Sequence, residues 1–470
     1  MADVTQQFRD RSTERPKAAW IELLSLAAPT VAQMASYTLM QFIDTWLLSR
    51  HGTSRATGLE PTAASNSGMF SFSLISLGFG ALILVNTLVS QSFGRGDRKD
   101  CGRYMWQGIW MGGMYWLLML LLTPWAPALF RVMGHEPRLV AMEAAYLRIM
   151  IFGAILKLTQ VTLSQFMLGI DRPMAVLYAT LGGVSLNAVA AWALINGRLG
   201  LPMLGIRGSA WGQIFGMFVE MAVLIAVCLR REIRTTYGLA KARFDRPAFM
   251  TLLKVGLPSG VQLSSDVMAW TLFSVWVMAP FGTDTMAANT FTFRFNAVSF
   301  MPAYGIGTAV TALVGRYIGR GEPQIAVQRA HLGFCFAGVY MILCGIVFFV
   351  GRRWLLELFT QNPHILQIGS MMLIYAAIYQ FFDAMYIIYN GALRGAGDTL
   401  VAGMTTAGLC WGVTVLGAGS VARFCPQFGP AGPWAAATLY GIVLGLFMFI
   451  RFYIGPWRKI RLGPTPLLAS

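Results

Sequence analysis

The sequence predicts an all-α integral membrane protein with about twelve transmembrane helices in two pseudo-symmetric six-helix bundles. Three observations carry this expectation. The 470 residues are 56% hydrophobic and only 12% charged, with a mean hydropathy of +0.58, whereas a soluble domain carries about 25% charged residues. Apolar runs of about 20 residues or more recur along the whole chain, the length that crosses ~30 Å of hydrocarbon. The second half of the chain also repeats motifs of the first.

In chain order, residues 1–20 hold Arg9, Arg11, Arg15 and Lys17. The apolar run that follows is too long for a cleaved signal peptide and lacks its small-residue cleavage site. The segment therefore reads as a cytoplasmic tail before a retained first helix. Spans are expected at 21–49, 63–91, 104–130, 138–168, 173–196 and 205–230, giving an N-terminal bundle over 21–230. The basic, polar stretch 231–247 reads as a cytoplasmic linker. Spans at 249–280, 284–316, 326–350, 365–393, 399–421 and 430–455 form a C-terminal bundle over 248–455, and 456–470 is a second tail. The connections on one side carry Arg95, Arg98, Lys99, Arg103, Arg230, Arg231, Arg234, Arg316, Arg320 and Arg329. This asymmetry places both termini in the cytoplasm of a multi-pass inner-membrane protein.

The repeat is an internal self-similarity with an offset of about 225–230 residues. Pro29 in LSLAAPTVAQ matches Pro258 in LKVGLPSGVQ; VSQSFGRGD (Val89–Asp97) matches VGRYIGRGE (Val314–Glu322); FMLGIDRP (Phe166–Pro173) matches ALRGAGDT (Ala392–Thr399). Six spans per half is an even number, so the halves share one orientation and a pseudo-twofold axis along the membrane normal, with a cavity between them.

Several function classes fall away. A net charge of +16 would suggest nucleic acid on a soluble chain, but here the basic residues sit in short loops as a topology signal. The six cysteines form no CxxC pair, and the four histidines are scattered singly, so neither a disulfide framework nor a resident metal or cofactor is expected. GxxxxGK[ST], GxSxG and HExxH are missing, which argues against an enzyme.

Charges within spans are costly and face a cavity or a partner. They are Asp44, Arg148, Lys157, Glu220, Asp266, Arg294 and Asp383. Asp266 lies ~18 Å along its helix from the inner end and Asp383 ~15 Å from the same side. Two acids at one depth can converge, and a proton or Na⁺ would relieve their burial and repulsion. Tyr379, Tyr386 and Asn390 share the helical face of Asp383, and Gln262 lies one turn from Asp266. A static salt bridge to Arg294, at similar depth, is the competing reading. Asp44 reads either as a proton or cationic-substrate site or as an interfacial carboxylate reaching water. Lys157 aligns with Asp383 in the repeat and stands within reach of Gln160; an Asp44–Lys157 pair stays open. Glu220 and Arg148 receive no role.

With these residues in place, the chain resembles the multidrug and toxic compound extrusion family, NorM-like branch, over about residues 20–455. The resemblance is carried by PTVAQMASYTLMQFID (Pro29–Asp44), QSFGRGD (Gln91–Asp97), LGLPMLGIRG (Leu199–Gly208), GRYIGRG (Gly315–Gly321) and QFFDAMYIIYNGALRGAGD (Gln380–Asp398). It implies a secondary exporter of drugs or toxic organic cations driven by Na⁺ or H⁺, a monomer among membrane lipids. The family's coupling acids fall on Asp266 and Asp383, and its first-span aspartate on Asp44. The Asn-x-x-x-Asp pattern of proton-coupled relatives reads Asn187 to Ala191, so that site is incomplete. Arg294 stands where relatives carry a small polar residue. A flippase for a lipid-linked saccharide precursor is the alternative, and an integral-membrane enzyme is a third.

Overall fold

The computed structural model describes residues 18–49, 59–133, 136–460 and 462. Residues 1–17 and 463–470 of the two expected tails, together with His51 and His135, lie outside the described residues. Among the described residues the secondary structure is helical, without strands. The first bundle comprises α1 (Ala19–Ser49), α2 (Leu59–Leu82) running into α3 (Leu84–Arg95), α4 (Arg98–Leu120) with the bent α5 (Ala126–Val132), α6 (Pro137–Gly169), α7 (Pro173–Asn196) and α8 (Ile206–Leu229). After the short α9 (Arg231–Thr236), the second bundle comprises α10 (Arg246–Leu272), α11 (Thr283–Gly319), α12 (Pro323–Glu357), α13 (Pro363–Ala396), α14 (Thr399–Leu409) continued by a π segment Cys410–Gly417 into α15 (Ala418–Phe424), and α16 (Ala431–Ile454).

Nine of these segments are long and apolar enough to cross a membrane, or ten when the pair bent by 41° after Leu120 counts as one. The other two of the twelve, α1 and α10, have 31 and 27 residues. They are less apolar because they carry Gln33, Ser36, Thr38, Gln41 and Asp44, and Gln262, Ser264, Ser265 and Asp266. Large apolar side chains such as Leu118, Leu121, Val350 and Trp354 are exposed on the outside, as lipid contact requires.

The end where α1 begins also carries Arg95, Arg98, Arg316 and Arg329, and is called the basic end below. Here α1 and α10 are exchanged between bundles. Leu23, Leu26 and Ala27 of α1 belong to the core of the second bundle, and Ala248, Phe249, Leu252 and Val255 of α10 to the core of the first. Further along, Leu47 and Leu48 pack on Ala191 and Ile195 of α7, and Ala269 returns to the second-bundle core. Pro29 and Pro258 sit inside these two helices at the matching place. The connecting stretch, expected to be a polar strap, is partly packed: Ile233, Tyr237 and Leu239 are buried in the first-bundle core. Asp245 caps α10 by accepting from the Ala248 amide at 3.0 Å. The Arg103 guanidinium donates to the same carboxylate at 2.8 and 3.0 Å and holds its pKa below the usual range.

The pseudo-twofold axis is written in glycine contacts. A Cβ on Gly94 would lie 2.1 Å from the Arg316 carbonyl oxygen, and one on Gly319 2.1 Å from the Gln91 carbonyl oxygen. In the repeat, Gly94 matches Gly319 and Gln91 matches Arg316. Likewise a Cβ on Gly80 would meet Ser259 and Gly260 at 2.8 Å, and one on Gly305 would meet Val31 at 2.9 Å and Thr30 at 3.0 Å. These backbones touch because no side chain stands between them. Gly94→Ala and Gly319→Ala are each expected to cost about 1–3 kcal/mol of overpacking, read as a lower melting temperature of the purified protein. Gly113→Ala, at a site with open space, should lose nothing.

Polar contacts reinforce the seal. The hydroxyls of Thr30 and Thr87 donate to the carbonyls of Gly305 and Arg394, and Gln91 Nε2 to that of Gly395, each at 2.9 Å. Glu22 of α1 accepts from Arg329 Nε at 2.7 Å and from Tyr317 Oη at 2.8 and 2.9 Å. Arg316 lies 3.8 Å from Glu22 and 2.9 Å from Asp171 in the α6–α7 turn. Among the described residues, the hydrogen bonds and ion pairs that join the bundles gather at the basic end. The bundles are closed there.

Candidate functional site

Asp266 on α10 and Asp383 on α13 are both half-buried in the second bundle and within electrostatic reach of each other. Asp266 Oδ1 accepts from Tyr440 Oη of α16 at 2.9 Å, and Oδ2 from Tyr386 Oη of α13 at 3.5 Å. Cys410 Sγ, where the π segment begins, lies 3.6 Å from Oδ1. Helical periodicity places Tyr379, Asp383, Tyr386, Asn390 and Arg394 on one face of α13. Gln262, one turn from Asp266, donates to Asn390 Oδ1 at 3.3 Å and to Thr406 Oγ1 at 2.9 Å. The Tyr379 phenol oxygen is buried without a partner. Trp270 closes one wall, with ring centroids 5.5 Å from Phe293 and 6.2 Å from Tyr440. Two carboxylates with phenol and amide oxygens make an oxygen-rich donor set, which suits a proton or a hard monovalent cation. Among the described residues no cluster of three or more His, Cys, Asp or Glu could hold a metal in the usual sense.

The expected cationic neighbour is a different residue. Arg294 is exposed on α11 and, among the described residues, makes no ion pair with either acid, so the static bridge to Asp266 is not formed. The arginine that Asp266 feels is Arg394, whose Nη2 donates to Gln262 Oε1 at 3.3 Å. Depth counting from the helix ends favoured Arg294 but left out its direction around the helix. The eleven-residue step from Asp383 to Arg394 is close to three helical turns, and it carried the missing signal.

In the first bundle, Asp44 of α1 is buried. Its Oδ2 accepts from Gln213 Nε2 at 3.1 Å, and Gln213 also donates to Tyr146 Oη at 2.9 Å. Asn187 is fully buried beside Asp44, close enough for its amide to favour the carboxylate. Lys157 does not pair with Asp44. Its Nζ lies 4.8 Å from the centroid of the Tyr37 ring, within electrostatic reach of Glu220.

Glu220, given no role from sequence, is the hub of this bundle. Its Oε1 accepts from Tyr37 Oη at 2.5 Å, Thr180 Oγ1 at 2.6 Å and Gln160 Nε2 at 2.8 Å. Gly183 and Gly216 let α7 and α8 approach closely enough for this, since a Cβ on Gly183 would meet the Gly216 carbonyl oxygen at 2.8 Å. Tyr37–Glu220 and Asp44–Gln213 are thus two rungs between antiparallel α1 and α8, seven residues apart on each. Glu220→Leu would take the acceptor from the Tyr37 and Thr180 hydroxyls, at about 1–3 kcal/mol each, while Gln160 keeps Ser164 as an acceptor. It should lower the melting temperature far more than Glu220→Gln, which still offers an acceptor.

Two helical bundles exchanged at one end, related by a pseudo-twofold axis and holding acids inside their spans, define a membrane transporter of the secondary type rather than an enzyme. The MatE family profile matches residues 29–193 and 265–418, and the chain belongs to this family of multidrug and toxic compound extrusion transporters. A probable multidrug resistance protein NorM of Pseudomonas syringae pv. tomato is 30% identical over 459 residues, 95% of this chain and 96% of that protein. The multidrug resistance protein PmpM of Pseudomonas aeruginosa is 27% identical over 440 residues, 92% of this chain and 90% of that one. The fold is shared with the eukaryotic MATE transporter AtDTX14 at a TM-score of 0.82 and 17% identity, covering 94% of this chain and 97% of that one. It is also shared with an outward-facing multidrug resistance MATE family transporter at 0.83 and 18%, covering 93% and 96%.

Proposed function

We propose that the protein exports lipophilic or cationic compounds across the cell inner membrane in exchange for Na⁺ or H⁺. The supporting observation is the Asp266–Asp383 pair, held in the second bundle among hydroxyl and amide oxygens while the bundles are sealed at the basic end. The relatives named for multidrug resistance point the same way. In this reading the basic end and both termini are cytoplasmic, and the structure described is the state closed to the cytoplasm. Substrate arrives from the cytoplasm or inner leaflet in the opposite state. A cation that reaches Asp266 and Asp383 from outside neutralises them and favours the rocking step that releases it. The protein acts as a monomer among lipids. Asp44 and Asn187 serve as an additional proton or substrate contact in the first bundle. A lipid-linked saccharide flippase would need clustered cations for a pyrophosphate, and the bases Lys157 and Arg394 stand in different bundles.

The test is dye export by everted vesicles, with Na⁺ and pH gradients imposed separately. Export driven by one gradient and not the other assigns the ion; export that responds to neither removes the ion-coupled reading.

A further inference from the structure

Arg394 has no charged counterpart in the first half, where the repeat puts Leu168. The residue is only 7% exposed and lines a small cleft between the bundles with Ile83, Asn86, Tyr304, Thr308 and Thr311. Its bonding is poor for a buried cation. Nη2 makes one 3.3 Å bond to the neutral Gln262 amide, and Nε has no partner. Among the described residues Arg394 forms no ion pair. Asn86, across the cleft on α3, is fully buried, and both of its side-chain amide atoms are unpartnered. Thr87 beside it donates to the Arg394 carbonyl at 2.9 Å, which fixes α3 against α13 at this level. The threonine hydroxyls nearby are committed: Thr311 to the Gly307 and Gly391 carbonyls and Thr308 to that of Tyr304.

A buried guanidinium without a counter-charge costs several kcal/mol. Asp266 does not supply one by contact. It lies one turn further along α10, ~6 Å of rise, and its oxygens are engaged by Tyr440, Tyr386 and Cys410. We propose that Arg394 and Asn86 form a binding subsite for one compact monovalent anion at the floor of the inter-bundle cleft. The anion is a halide or the carboxylate of a bound ligand; both bring one charge that a guanidinium and an amide N–H can share. Arg394 belongs to the second bundle and Asn86 to the first, so the anion is held by both only while the basic end is closed. It therefore stabilises this conformation by mass action. The inference rests on these two side chains and not on the identity of the exported compound.

The experiment is a melting curve of the purified full chain in nanodiscs at constant Na⁺ and ionic strength, with chloride or bromide replaced by isethionate, which is neither a halide nor a carboxylate. The wild-type protein should gain about 2 °C or more in halide, saturably, and Arg394→Gln and Asn86→Leu should lose the gain. Bromide should give an anomalous diffraction peak in the cleft. A carboxylated dye and its methyl ester, both tested in isethionate, separate the sources: stabilisation by the acid alone assigns a ligand carboxylate, and stabilisation by halide alone a free ion. Equal melting in every salt and with both dyes, without a bromide peak, would mean that only water occupies the cleft and would overturn the proposal. If Arg394→Gln does not fold, Asn86→Leu and the wild-type bromide data still decide.

Discussion

Asp383→Asn and Asp266→Asn are each expected to abolish ion-driven dye export while leaving a folded protein. Both acids are half-buried, and the hydrogen bonds to Asp266 come from the neutral phenols of Tyr440 and Tyr386, so a neutral amide of the same shape disturbs packing little. The lost quantity is the free energy of the ion's descent, ~2.3 kcal/mol per charge per 100 mV. For an uncharged exported compound that corresponds to roughly a 50-fold concentration ratio. In everted vesicles the wild-type protein should quench or release an ethidium-like dye when the driving gradient is imposed, and both variants should fail to respond. Arg294→Gln should behave as wild type, because Arg294 is exposed and unpaired with the acids. Tyr440→Phe removes one hydrogen bond to Asp266, worth about 1.5–3 kcal/mol to a charged group. It should shift the ion dependence without eliminating it. A normal rate and normal ion dependence in Asp383→Asn would refute the coupling role of the pair.

The parts of this architecture that were legible in the sequence are those governed by one-dimensional physics. Span lengths follow from hydrocarbon thickness and the break residues: α7 runs Pro173–Asn196, the expected limits, because Pro173 starts it and Gly197, with φ of 64°, ends it. The repeat was legible for the same reason, and it anticipated that Gly94 and Gly319 occupy equivalent places. The sequence did not reveal that both glycines lie on the axis itself, each against the other half's backbone. The interior charges were only partly legible. Helical rise gives depth, which brought Asp266 and Asp383 to one level. It does not give the direction of a side chain around its helix, which left Arg294 in the place that Arg394 occupies and left Glu220 without a function. Both misses are errors of azimuth. Glu220 becomes the hub only because Tyr37, Gln160 and Thr180 converge from three other helices, a coincidence in space that no spacing along the chain encodes.

Cutting the ion-pair cluster at the basic end should open that end. Glu22, on the exchanged end of α1, holds Arg329, Tyr317 and Arg316 of the second bundle, and Arg316 also holds Asp171 of the first. Arg316 is 5% exposed, so removing its acids leaves a buried charge unpaired, which costs about 3–5 kcal/mol when burial is complete. Glu22 and Asp171 are partly exposed, so a smaller shift is expected for Glu22→Ala, about 2 kcal/mol or roughly 30-fold toward the opposite state. A cysteine introduced at Ser90, fully buried between the bundles, should pass from protected to maleimide-reactive in that background. Asp171 supplies the control on stability. It adopts φ of 68° at the place where the repeat puts Gly397, at 88°, and a non-glycine residue there costs about 1 kcal/mol or more. Asp171→Gly should therefore relieve backbone strain while still loosening the bundles, so that melting temperature and thiol reactivity move independently. Combined with Glu22→Ala, it should loosen the bundles by more than its single effect, because the second change removes the last acid from the buried Arg316. A thiol at position 90 that stays protected in all three variants would mean that glycine packing alone closes this end and that the charged cluster adds nothing to the seal.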